Sequence, residues 1–145
     1  MFLLDTVVLS EYLRKRPSSK VINWLDTQPE DTLYISSLTV AELRKGYHKL
    51  QHKADTADDV KRAGKIDSWV DTLKQRFRDN IIPIDDRILE NWSKMCGRAE
   101  AEGRKLPVID SLLAASALTY SLIVVTRNVA DFEKCLSSVD LYDPY

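Results

Sequence analysis

Phe2-Leu3-Leu4-Asp5-Thr6 holds three apolar residues without a break and then a carboxylate. A run this short, apolar at every position, predicts a strand buried on both faces, the habit of a parallel sheet. Such a strand needs helices above and below it. The residues on either side must then alternate between helix and strand, and they do.

After Thr6 a helical stretch runs to about Arg14, and Pro17-Ser18-Ser19 break it, with a Ser as the N-cap of the next helix. Val21, Ile22 and Leu25 line that helix. Leu33-Tyr34-Ile35 read as a second strand. Ser36 to Thr39 turn into a third helix, with Thr39 and Glu42 spaced as a capping box and Val40, Leu43, Tyr47 and Leu50 facing inward. Residues 53–59 are polar and read as a loop. A longer amphipathic helix follows, with Val60, Ile66, Val70, Leu73 and Phe77 directed inward.

Ile81-Ile82-Pro83-Ile84 is a third short strand, and its proline predicts an end or an edge. Asp85 caps a helix with Ile88, Trp92, Met95, Cys96 and Ala99 inside, and Gly103 ends it. Pro107 opens another helix. Leu122 to Val125 form the fourth strand, and Leu141 belongs to a fifth. Strands alternating with helices imply βαβ units and a parallel sheet covered on both sides.

At 145 residues the chain is expected to be one domain, residues 1–145, with one core. A net charge of -1 means that any nucleic-acid binding must use a local basic patch. Cys96 and Cys135 lie far apart, without a zinc-type spacing, so neither a disulfide scaffold nor a structural zinc site is expected, and a reducing cytoplasm is the default. The apolar run Met1 to Leu4 is too short to span a membrane, and no secretory signal is expected.

In open α/β sheets, ligands bind beyond the carboxyl ends of the strands. Asp5 directly follows the first strand. Glu42 falls in the expected first turn of the helix after the second, and Asp110 in that of the helix opened by Pro107. Asn128 and Asp131 follow the fourth strand, past Thr126. Any one acid near a helix start has a plain reading in the helix dipole, worth roughly 0.3–1 kcal/mol. Several on one rim do not: they repel, and they need protons or a cation to coexist. Mg²⁺ or Mn²⁺ prefers oxygen ligands and would neutralise them. That combination suits hydrolysis of a phosphodiester.

Four blocks then carry a resemblance across nearly the whole chain. They are Leu3-Leu4-Asp5-Thr6 with Val8-Leu9-Ser10-Glu11, Ile35 to Leu43 with Gly46, Asp110 to Ala117, and Val124 to Phe132. Together the sequence resembles PIN-domain ribonucleases, and within them the toxins of VapBC-type toxin–antitoxin systems of the FitB-like subgroup. The resemblance implies a three-layer α/β/α sandwich on a five-stranded, mainly parallel sheet. It implies Mg²⁺- or Mn²⁺-dependent cleavage of RNA, with transfer RNA a candidate substrate. Asp5, Glu42 and Asp110 match the family's acids, with Asp131 as the fourth; Asp5 and Asp110 would hold the metal. Thr6, Thr126 and Asn128 would position waters or carboxylates. It further implies a homodimer, a VapB-like antitoxin partner, DNA contact only through that partner, and no membrane association.

Two residues depart from the family pattern. Asn128 stands where many relatives place Asp, and Val7 where they usually carry Asn; both feed an alternative, a PIN module that binds RNA or a partner without efficient cleavage. Val7 also argues against haloacid-dehalogenase-like chemistry, which wants a second Asp there. His48 and His52 read as a solvated helix face, since no further ligand completes a metal set. Arg14-Lys15-Arg16, Arg44-Lys45 and Arg104-Lys105 read first as solvated faces and, because they flank the expected rim, as candidate phosphate contacts.

Overall fold

The computed structural model describes residues 1–135 and 139–145. Five strands form one sheet: β1 (Phe2–Leu4), β2 (Leu33–Ser36), β3 (Ile81–Ile82), β4 (Ile123–Val125) and β5 (Leu141–Tyr142). Their order is β3-β2-β1-β4-β5, with every pairing parallel. β1 is central, in register with β2 through Leu4 and Ile35 and with β4 through Leu4 and Val125. From β1 the chain winds outward to β2 and β3, then returns to build β4 and β5 on the other side. The winding therefore reverses between β1 and β4, the place where an open α/β sheet opens a crevice at its carboxyl edge.

Successive strand residues point to opposite faces, and each face has its own core. Leu4, Leu33, Ile35 and Val125 pack under α1 (Thr6–Leu9), α2 (Ser19–Thr27), α3 (Ser37–His52) and α4 (Ala57–Arg76). Leu3, Val124 and Ile82 pack under α5 (Asp86–Ala101), α6 (Val108–Tyr120) and α7 (Val129–Cys135). The three layers anticipated from the sequence are thus present. The residues from Ser111 to Ala117 are buried almost all round α6, apart from the half-buried Leu112, because this helix lies between the sheet, α5 and α7.

Local signals set most boundaries. Asp85 accepts from the Ile88 N–H at 3.0 Å and caps α5. Gly103, at φ +73°, closes the same helix: Arg104 N–H donates to Ala99 C=O and Gly103 N–H to Glu100 C=O, the paired bonds of a Schellman end. Cys96 and Cys135 are free thiols.

Several boundaries differ from expectation. The first helix stops at Leu9 and tightens into a 3₁₀ turn over Ser10–Leu13 instead of running to Arg14. Ser18 sits at the start of α2 without capping it by its side chain; its N–H donates instead to Glu11. Thr39 and Glu42 are not a capping box. β2 ends on Ser36, whose hydroxyl accepts from Leu38 N–H, so the helix starts earlier and Glu42 lies in its second turn. α4 begins at Ala57, capped by Thr56, which shortens the loop to residues 53–56. Val60, in the first turn of α4, is 62% exposed; the inward stripe starts at Ala63. β3 holds only Ile81 and Ile82 at the sheet edge, because Pro83 has no N–H to extend the ladder.

Candidate active site

Asp5 is the residue after the central strand. Its N–H still donates to Val125 C=O at 3.0 Å, so the sheet ladder fixes the backbone that carries the carboxylate. The residue is only 6% exposed. Thr126, the residue after β4, is fully buried and donates its hydroxyl to Asp5 Oδ2 at 2.7 Å. Thr126 Oγ1 in turn accepts the Asn128 N–H at 2.9 Å. This chain of bonds ties the two strand ends on either side of the reversal point.

Burial pushes the Asp5 carboxyl above its usual range. The bonds from Thr126 and from the Thr6 backbone pull the other way, and the charges of Asp110 and Glu42 push it further up. Asp110, in the first turn of α6, is raised as well, first by burial and then by the charges of Asp131 and Glu42. Asp5, Glu42 and Asp110 are therefore brought within each other's fields, and Asp131 joins through Asp110. Glu42 is aimed by Thr6, whose hydroxyl donates to Glu42 Oε2 at 2.7 Å, while Lys45 lies 3.6 Å from its other oxygen. Asp131 is bonded by Lys134 at 2.8 Å. Asn128 is exposed, and its C=O accepts the Asp131 N–H at the start of α7.

A strand-end Asp, a Thr after the neighbouring strand that holds it, and acids from the starts of two helices form an ordered set along the chain. A sequence profile of the PIN domain matches residues 2–134. The chain belongs to the PIN-domain family. Toxin FitB of Neisseria gonorrhoeae is 30% identical over 145 residues, covering 100% of this chain and 99% of the relative. VapC ribonuclease Y4jK of Sinorhizobium fredii is 30% identical over 146 residues, covering 100% and 98%. Among solved structures, FitAcB from Neisseria gonorrhoeae matches at a TM-score of 0.85 with 30% identity, over 99% of this chain and 98% of the other. FitAB bound to the IR36 DNA fragment matches at 0.82 with 28% identity, over 99% and 95%.

This PIN domain offers a cation only oxygen donors, which suits a hard divalent ion and not zinc or copper. The excess charge shared by Asp5, Glu42 and Asp110 is what such an ion would offset. The Thr39 hydroxyl, one turn before Glu42, is buried and has no partner among the described residues. No group of three or more His, Cys, Asp or Glu side chains among the described residues is gathered closely enough to cage a metal as it stands. The donor chemistry, carboxylates alone, suits a hard divalent ion.

The basic clusters singled out in the sequence are partly spent on internal pairs, with Lys15, Arg16 and Lys105 unpaired among the described residues. Arg44 clamps Asp67 and Asp71 across α3 and α4, Arg14 binds Glu11, and Arg104 binds Glu102 and the Lys134 carbonyl. His48 and His52 are exposed, as expected. Of the tryptophans, Trp92 donates to Ser111 Oγ at 2.9 Å, and Trp24 packs against Phe2 and Tyr142. Sequence reading missed Glu11 as a structural acid and Arg127 and Tyr145 as rim residues. The partners of Glu11 lie at Arg14, Ser18 and Tyr145, and no local pattern joins the last of these to it.

Proposed function

We propose that this chain is a metal-dependent endoribonuclease of one domain, residues 1–145, and the toxin component of a type II toxin–antitoxin pair. The observation that carries the reading is the buried Asp5, held by Thr126 at the reversal point of the sheet and repelled by Asp110 and Glu42. Asp5 and Asp110 would hold Mg²⁺ or Mn²⁺, with Glu42 and Asp131 completing the acid set. A bound divalent ion supplies charge for the scissile phosphate and lowers the pKa of water.

The chain's own residues do the rest. Thr126 keeps one Asp5 oxygen oriented by its hydrogen bond, and Thr6 does the same for Glu42. Asn128 holds the Thr126 hydroxyl through its N–H and so supports the first of these bonds. Asp131, steadied by Lys134, closes the acidic rim on the α7 side. The substrate would be single-stranded or looped RNA, with transfer RNA the first pool to test.

Relatives named toxin and VapC ribonuclease support the cleavage and toxin roles. The match to FitAB bound to a DNA fragment supports an antitoxin partner; that DNA is contacted only through that partner, and that the chain forms a homodimer, are carried over from the resemblance. No helix among the described residues is long and apolar enough to cross a membrane; a cytoplasmic location is proposed from the toxin–antitoxin resemblance. A second reading, a PIN module that binds RNA or a partner without efficient cleavage, rests on Val7 and Asn128, which replace an amide and an acid of the family pattern.

The test is cleavage of total and transfer RNA by wild type and Asp5→Asn in Mg²⁺, Mn²⁺ or EDTA. Metal-dependent cutting by the wild type alone supports the nuclease reading. Folded protein that cuts under no metal moves the weight to the binding module.

A further inference from the structure

Arg127 stands between Thr126, which holds Asp5, and Asn128, and its side chain is exposed. Its guanidinium carbon lies 5.1 Å from the centroid of the Tyr145 ring. Tyr145 is itself anchored to the same rim: its hydroxyl lies 3.2 Å from the Val7 carbonyl and 3.1 Å from Glu11 Oε1, and donates to this pair. Val7 is two residues past Asp5. The ring is thus held against α1, which starts directly after Asp5, and the arginine that follows Thr126 lies over it.

A phosphodiester chain approaching this site meets the charges of Asp5, Glu42, Asp110 and Asp131. Of the cations nearby, Lys45 is committed to Glu42, Lys134 to Asp131 and Arg14 to Glu11. Lys15, Arg16 and Lys105 make no ion pair with a described carboxylate and have no aromatic face beneath them among the described residues. Arg127 makes no ion pair with any described carboxylate. Stacking on an aromatic face restrains the guanidinium while leaving its N–H fork free to bind a phosphate in two places. Burial and the neighbouring Glu11 push the Tyr145 hydroxyl up to about 12, so it remains a donor and the platform stays anchored across the physiological range.

We propose that Arg127 grips a phosphate of the RNA backbone beside the acidic site, with Tyr145 as its positioning residue. This rests on the nuclease reading above. The contact reads phosphate and not base, so it sets where the chain is held without choosing its sequence.

The experiment is fluorescence anisotropy of a short labelled single-stranded RNA in EDTA, titrated with the full chain over a range of salt. Arg127→Ala is expected to bind about tenfold more weakly, and its log–log salt dependence to be shallower by about 0.7, the share of one single-strand phosphate contact. Arg127→Lys recovers the slope but not the full affinity, since a point charge replaces the fork. Tyr145→Leu keeps the arginine but removes its platform, and weakens binding about threefold. Arg78→Ala removes an equal charge at the amino end of β3, on the opposite edge of the sheet, and leaves binding unchanged. If wild type binds and Arg127→Ala matches it in affinity and slope, the assignment is wrong while the nuclease reading stands. If Arg127→Ala loses only the affinity for an antitoxin protein, the residue belongs to the partner interface and the proposal falls. If wild type binds no RNA either in EDTA or with a divalent ion present, and cleaves none in the assay above, the nuclease reading falls and takes this proposal with it.

Discussion

Asp5 and Glu11 are six residues apart, both are carboxylates, and both are buried, at 6% and 0% exposure. Their environments push them in opposite directions. Around Asp5, burial and the charges of Asp110 and Glu42 outweigh the bonds from Thr126 and Thr6, and the carboxyl is raised. Burial opposes ionisation of Glu11 too, but there the Ser18 N–H, the Tyr145 hydroxyl and the Arg14 guanidinium outweigh it, and the carboxyl is lowered. One acid is fully provided with donors and holds the fold together. The other is held short of donors among like charges, which is how a protein keeps a carboxylate ready for a cation.

The strongest way to break this contrast is Asp5→Asn. Metal-dependent RNA cleavage is expected to fall by at least about a hundredfold, while the melting temperature in EDTA stays level or rises, because the repulsion is removed. A large loss of stability would mean that Asp5 is as structural as Glu11. Next in size is Glu11→Gln, expected to cost about 2 kcal/mol, the scale of bonds to a buried charged group; equilibrium urea unfolding measures it.

That loss carries a pH signature. Because the folded value lies below the ordinary 4.5, the unfolded chain takes up the proton first. The contribution of Glu11 is fully present above pH 4.5 and is lost as pH falls through its folded value. The gap in melting temperature between wild type and Glu11→Gln is expected to be full near neutrality and to close in acid. A gap constant with pH would show that packing, not charge, is what Glu11 supplies.

Thr126→Val tests the donor side of Asp5. The shape is kept and the 2.7 Å bond is lost, so kcat is expected to drop about tenfold, the usual scale for a group that orients a metal-holding carboxylate. Tyr145→Phe has the smallest effect, about 1 kcal/mol of stability for one hydroxyl donor, read by thermal or chemical melting.

The sequence made one of these two acids visible and hid the other. Asp5 stands at the end of a buried apolar run, and that position announces itself. Asp85 and Gly103 are equally plain, because a cap and a left-handed turn are written within a few residues. Glu11 is not, since a charge in a short turn reads as solvated until Ser18 and Tyr145 are seen to close over it. Glu42 misled in a different way. Its spacing from Thr39 imitates a capping box, yet Ser36 had already started the helix, and the carboxylate was free to take the Thr6 hydroxyl. Arg44 passed as a candidate phosphate contact because its partners, Asp67 and Asp71, come from another helix, while Arg14 and Arg104 did so although Glu11 and Glu102 lie within three residues of them. The acids of the rim could be listed from the sequence; which of them lean on one another depends on contacts across the whole chain.

The bond from Thr126 to Asp5 spans 121 residues. During synthesis at 5–20 residues per second, roughly 6 to 24 seconds separate the two ends of that bond. Through that interval the ribosome carries a chain that contains Asp5, and later Glu42, but has no β4 beside β1, and so no bond from Thr126 to orient Asp5. A chain ending before Thr126 lacks the bond that orients Asp5, so the proposed hydrolytic site would assemble only after β4 has been made.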